Sequence, residues 1–313
     1  MNILSQLVSP EPNLFYKRND PNDIRLGEVV TVDHRQYAEA DIIIIGCPQD
    51  EGVRRNKGRL GAAQAPNAIR KAFYRLVAPQ PLQLTILDVG NTPIQTTLED
   101  THTIHSEFIQ KFIADNKQVI SLGGGNDLAY ADCMGLSKVV DSVLAINIDA
   151  HFDVRADATP NSGTPYRQLL EEGYISPSHF YEVGSVPMVN SAVYRDYLLA
   201  KQAHIIELTT LKEQGIQSIF SEILKDDAEA IFWGLDMDVV RAADAPGVSA
   251  PNPIGLYGDV FCQIGGIAAA DQRSRIFEIT EVNPYFDIDE RTCRLAAATL
   301  YQFIATINQK RGL

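Results

Sequence analysis

Cysteine is scarce in this chain. Its 313 residues hold only Cys47, Cys133, Cys262 and Cys293, scattered and with no CxxC pair, which argues against a disulfide framework or a cysteine-rich zinc site and for reduced thiols in or near the core. No apolar run approaches the roughly 20 residues of a membrane span. The opening MNILSQLVSP lacks the basic start and the long apolar stretch of a secretory leader, so the expectation is a cytoplasmic protein. Basic runs are missing too: 27 Lys and Arg stand against 40 Asp and Glu, a formal charge of −13, which argues against nucleic acid and anionic membrane as partners. With no repeat, low-complexity tract or clear linker, the chain reads as one domain over 1–313, with 1–38 as an irregular N-terminal extension.

What is present is a regular alternation. Eight short β-branched runs (DIIIIG, LTILDVG, KQVISLGG, SVLAINID, HFYEVG, AHIIELT, AIFWGLDMD and IFEITE) are separated by stretches such as PNAIRKAFYRL, HTIHSEFIQKFIADN and YGDVFCQIGGIAAA, whose apolar residues recur at helical spacing. Strands that are apolar almost throughout, alternating with helices, imply an α/β fold with a parallel sheet covered on both faces. An open doubly wound sheet and a closed eight-stranded barrel both meet that description, and both place their sites at the carboxyl ends of the strands.

That is where the acidic residues gather. NIDAHFDVR carries Asp149, His151 and Asp153 as its strand runs out, and GLDMDV carries Asp236 and Asp238. Extended backbone sends alternate side chains to one face, so each set converges if strand geometry persists past Ile148 and past Asp236. Four carboxylates so close repel one another unless cations lie between them. Oxygen-rich ligation with one imidazole suits Mn²⁺ better than Zn²⁺, and a pair of such ions is a hydrolase's means of activating water.

In order, GVRRNKGRLGA, GGGND, NIDAHFD, SGTPYRQ, GLDMDV and EVNP resemble the motif series of the ureohydrolases, the arginase and agmatinase superfamily, over roughly residues 41–308. GVRRNKGRLGA and SGTPYRQ look most like its formimidoylglutamase branch. The resemblance implies a three-layer α/β/α sandwich around an eight-stranded parallel sheet, a two-manganese centre, and a homo-oligomer, trimer or hexamer. Carried over by position, Asp149 and Asp236 bridge the ions, His151 and Asp238 complete one site, and Asp153 belongs to the other. Asp153 is also the expected proton acceptor, and Glu281 of EVNP the expected grip on a cationic amidinium.

One departure stands out. GGGND places Asn126 where the family usually has a ligating His, and an amide oxygen is the weaker donor. One tight and one loose ion are therefore expected, with Asn126 ligating, Asp127 swinging in, or the second ion missing. No His follows in SGTPYRQ to act as a proton shuttle. His179 reads as structural, His102 and His105 fall in an expected surface helix, and His34 lies in the irregular start. Arg54, Arg55, Arg59 and Arg155, with Asn161 and Ser162, are the candidates for holding a substrate's carboxylates, because guanidinium groups match carboxylates bidentately. The leading expectation is hydrolysis of the small-molecule amidine N-formimino-L-glutamate to L-glutamate and formamide, a step of histidine degradation. The alternatives are another amidinohydrolase, acting on arginine, agmatine or a guanidino acid, and a metal-weak pseudoenzyme kept for binding.

Overall fold

The computed structural model describes residues 3–312. All eight β-branched runs become strands: β1 (Ile42–Gly46), β2 (Ile86–Asn91), β3 (Gln118–Leu122), β4 (Val143–Ile148), β5 (Phe180–Ser185), β6 (His204–Glu207), β7 (Ala230–Asp236) and β8 (Ser274–Thr280). They pair in parallel throughout, in one open sheet of order β2-β1-β3-β8-β7-β4-β5-β6.

The alternation of side chains along each strand builds two cores at once. Ile42, Ile44, Ile120, Ile146, Ile148, Trp233 and Phe277 face one way, under the helices Ala65–Phe73, Gly258–Ala270 and Arg291–Arg311. Ile43, Ile45, Val119, Ala145, Phe232 and Ile276 face the other, under Leu98–Ala114, Leu128–Ser137 and Pro165–Glu171. Each such aliphatic side chain taken from water contributes about 1.5–3 kcal/mol, and having apolar residues at both parities is what commits the sheet to a middle layer. The single tryptophan, Trp233, is fully buried, and its indole N–H donates to Ser274 Oγ at 2.8 Å.

The N-terminal extension is irregular but docked. Short turns at Ile3–Gln6 and Pro12–Leu14 and one helical turn at Leu26–Val29 bury Leu4, Leu14 and Leu26. Isolated bridges tie Val8 to Asn91 and Thr31 to Leu87, along the edge strand β2.

The helix Leu98–Ala114 corrects one expectation. His102 and His105 are buried, not at the surface. They lie three residues apart on the side turned toward helix Leu128–Ser137, where each meets a carboxylate: His102 Nε2 is 2.8 Å from Asp127 Oδ2 and His105 Nε2 is 2.8 Å from Asp132 Oδ1. Both act as internal struts. Among the described residues no helix is long and apolar enough to cross a membrane.

Candidate active site

Four neighbouring strands, β3, β8, β7 and β4 in sheet order, end together. The segments that leave them carry Gly123–Asn126, Glu281, Asp236 with Asp238, and Asp149 to Asp153. A site outside the carboxyl ends of a parallel sheet is a consequence of this topology, because the connections all start there.

Extended geometry does not persist past the strands, contrary to the alternation expected above. The carboxylates themselves turn the chain. Asp149 Oδ1 accepts the His151 N–H at 2.6 Å, and Asp236 Oδ1 accepts the Asp238 N–H at 2.8 Å. An aspartate that binds the backbone two residues on stabilises a turn. Asp153 and Glu281 complete the bend with left-handed backbone, φ 46° and 63°, a conformation costly for non-glycine residues and concentrated at functional sites. Asn190, from outside the motif, clamps the same segment: its Oδ1 accepts the Phe152 N–H and its Nδ2 donates to the Ala150 carbonyl, at 2.9 and 2.8 Å.

The outcome is two overlapping groups. Asp149, Asp153 and Asp236 bring one ligand atom each to within 4.8 Å of one another, and Asp149, His151 and Asp238 do the same. Asp149, shared by both, is fully buried, and burial with the nearby Asp238 charge pushes its carboxyl up to about 6. Burial likewise raises Asp153, next to Asp149, and Asp236, next to Asp238 and Asp149. His151 Nδ1 lies 3.0 Å from Asp238 Oδ2, and that charge raises the imidazole to about 12. Asp238 Oδ1 is buried without a hydrogen-bond partner among the described residues. Clustered, desolvated carboxylates and an orphaned carboxylate oxygen fit divalent cations of the oxygen-preferring kind.

Asn126 sits inside this cluster. Its Nδ2 donates to Asp153 Oδ2 at 2.6 Å and to Asp149 Oδ2 at 3.3 Å, while Thr280 Oγ1 donates to its Oδ1 at 2.8 Å. Its backbone N–H donates to Glu281 Oε1 at 2.7 Å. Asp127 does not turn in: Gln49 Nε2 and His102 Nε2 both contact its Oδ2, at 2.6 and 2.8 Å, on the far side of the turn. The turn is tight enough that a Cβ on Gly124 would collide with the Gln49 carbonyl, which requires glycine there. Glu281 is buried, which pushes its carboxyl up to about 8 against the hydrogen bond from the Asn126 N–H.

A cavity of about 450 Å³ opens over the cluster, lined among others by His151, Asp153, Asp236, Asp238 and Glu281. The expected substrate residues divide. Arg59, Arg155 and Ser162 line the cavity; Arg54 and Arg55 do not, because Glu51 pairs with both, at 2.6 and 3.0 Å, and Glu99 with Arg55 at 2.6 Å. Arg59 commits Nε and Nη2 to the Val248 and Pro246 carbonyls and stacks on Phe286. Asn161 shapes the loop from within, donating to Asp157 and accepting the Gly163 N–H. Other lining residues lay outside the expected set, among them Asn56, Lys57 and Tyr194. Asn56 and Lys57 stand inside the quoted motif GVRRNKGRLGA, between arginines that drew attention away from them, whereas Tyr194 comes from a helix with no sequence signal of a site.

Comparison with known proteins agrees with this architecture. The arginase family model matches residues 40–305. Formimidoylglutamase of Staphylococcus aureus (strain Newman) is 33% identical over 309 residues, covering 94% of this chain and 98% of that protein. The crystal structure of Trypanosoma cruzi formiminoglutamase with Mn²⁺ superposes with a TM-score of 0.84 at 29% identity, covering 91% of this chain and 98% of that one. Formimidoylglutamase from Bacillus subtilis gives 0.87 at 26% identity, covering 94% and 95%. With the family model matched over residues 40–305 and a relative 33% identical over 94% of the chain, the chain belongs to the arginase family.

Proposed function

We propose that this protein is a manganese-dependent formimidoylglutamase, which hydrolyses N-formimino-L-glutamate to L-glutamate and formamide. The observation that carries the reading is the pairing of a buried carboxylate cluster with unpaired cations above it. Among the described residues lining the cavity, Arg155 and Lys57 have side chains with neither ion pair nor hydrogen bond. A substrate with a cationic amidinium at one end and two carboxylates at the other matches that polarity. The names of the relatives above support the same substrate.

Asp149, His151, Asp153, Asp236 and Asp238 would hold the ions. Divalent cations at such a site supply Lewis acidity that brings a water toward ionisation near neutral pH. Asn126 would join through its carbonyl oxygen once the amide turns over. Thr280 allows that, since its hydroxyl donates to the oxygen in one orientation and accepts from the nitrogen in the other.

The remaining work belongs to the chain. Glu281 projects into the cavity and pairs with the amidinium nitrogens, turning the planar carbon toward the cluster. Attack of water makes that carbon tetrahedral. Asp153 accepts a water proton and returns it to the nitrogen that leaves. Both water protons end on that nitrogen, so the cationic amidine becomes neutral formamide and the ammonium of glutamate, with charge conserved. The same proposal takes the enzyme as a cytoplasmic homo-oligomer, trimer or hexamer.

The test is a substrate panel on Mn²⁺-reconstituted protein. Formamide and glutamate from N-formimino-L-glutamate, with no urea from arginine or agmatine, is the expected result. Urea from either guanidine, with no formamide, would assign the site to another amidinohydrolase.

A further inference from the structure

We propose that Lys57 is a specificity-determining residue, which supplies with Arg155 the second cation that a dicarboxylate substrate needs at the mouth of the cavity. This rests on the substrate reading above and deepens it.

The argument starts from the backbone. The short helix Glu51–Arg55 closes with two bonds: the Lys57 N–H donates to the Arg54 carbonyl at 3.1 Å and the Gly58 N–H to the Val53 carbonyl at 2.9 Å. This pair of bonds forces left-handed backbone on the residue after the cap, where glycine is favoured. Lys57 occupies that position at φ 63°, and the glycine of the segment comes one place later. Lysine strains the turn there, and the folded chain returns nothing for it: the exposed side chain meets no acidic partner and donates no hydrogen bond among the described residues. A strained residue that lines a cavity and is not held by its own fold points to an external partner.

The neighbouring charges say what kind. Arg54 and Arg55 are neutralised by Glu51 and Glu99, and Arg59 commits Nε and Nη2 to backbone carbonyls. That leaves Lys57 and Arg155 as the lining cations whose side chains make neither ion pair nor hydrogen bond among the described residues, in a chain of net charge −13 whose overall field repels a substrate of net charge −1. Arg155 has its place made for it, since a Cβ on Gly163 would come within 2.7 Å of its Cδ. One cation holds one carboxylate; discrimination between a substrate with two and a substrate with one or none requires the other.

The experiment uses Lys57→Gly, which suits the left-handed backbone and keeps the turn. The expected protein melts no lower than wild type. Its KM for N-formimino-L-glutamate rises about fivefold, the worth of an exposed charge contact, with kcat little changed and a weaker rise of KM with added NaCl. Lys57→Arg restores both KM and the salt response. Wild-type KM and wild-type salt dependence in Lys57→Gly would overturn the proposal while leaving the substrate reading intact. A Mn²⁺-loaded wild type that neither turns over N-formimino-L-glutamate nor binds L-glutamate by titration calorimetry would overturn both.

Discussion

Asn126 is the uncharged member of a cluster whose other donors are four aspartates and a histidine, and its amide now satisfies Asp153 and Asp149 by hydrogen bonding. An imidazole in its place would offer a stronger donor to a cation. Asn126→His is expected to tighten Mn²⁺ binding on the Asp149, Asp153 and Asp236 side by about tenfold, the lower end of what site partners contribute. Titration calorimetry on metal-stripped protein checks this, and unchanged affinity would mean that the residue at 126 does not reach the ion. The residue types of the cluster were legible in the sequence because DAHFD and DMDV concentrate carboxylates at strand ends. Their manner of convergence was not, because an aspartate that captures its own backbone replaces extended geometry with a turn.

The strands also carry a support for the cluster. Asn147, near the end of β4 and two residues before Asp149, donates from Nδ2 to Glu182 of the neighbouring β5 at 2.8 Å, and the same nitrogen lies 3.4 Å from Asp149 Oδ2. Both residues are fully buried. Asn147→Ala would leave Glu182 without its partner and free the orientation of Asp149, the carboxylate proposed to ligate metal, so metal affinity is expected to fall about tenfold and the melting temperature to drop. Loss of stability with metal affinity intact would limit Asn147 to a packing role. The eight strands themselves could be read from sequence, since runs such as IIII and VLAINI are apolar at both parities. The buried faces of helices were harder: His102 and His105 interrupt the apolar pattern of Leu98–Ala114, and only the carboxylates of the facing helix explain their burial.

For the molecule as a whole, the carboxylate cluster makes stability depend on pH and metal together. A carboxyl whose folded pKa exceeds its unfolded one favours the folded state in full below the unfolded value, and that contribution is lost as pH rises through the folded value. Burial raises Asp149 to about 6 and Glu281 to about 8, from unfolded values near about 4. The metal-free protein is therefore expected to lose stability as pH climbs from about 5 to 8, and bound cations, by favouring the ionised carboxylates, oppose that loss. Mn²⁺ at a hundred times its Kd adds about 2.7 kcal/mol. Melting curves at pH 5 and pH 8 should show the larger Mn²⁺-induced rise at pH 8, and an equal rise at both would contradict the assignment of Asp149 as a ligand. The sandwich and the family were readable from the order of motifs along the chain. Which cations remain free was not, because that depends on acids far off in sequence, such as Glu99, which pairs with Arg55.

The most direct test of the account is formamide release from N-formimino-L-glutamate by metal-stripped protein as Mn²⁺ is added back, followed against metal bound per chain. Release that is absent at the start and rises with occupancy is the predicted result. Full release before any metal is added, or none at saturating Mn²⁺, would contradict it.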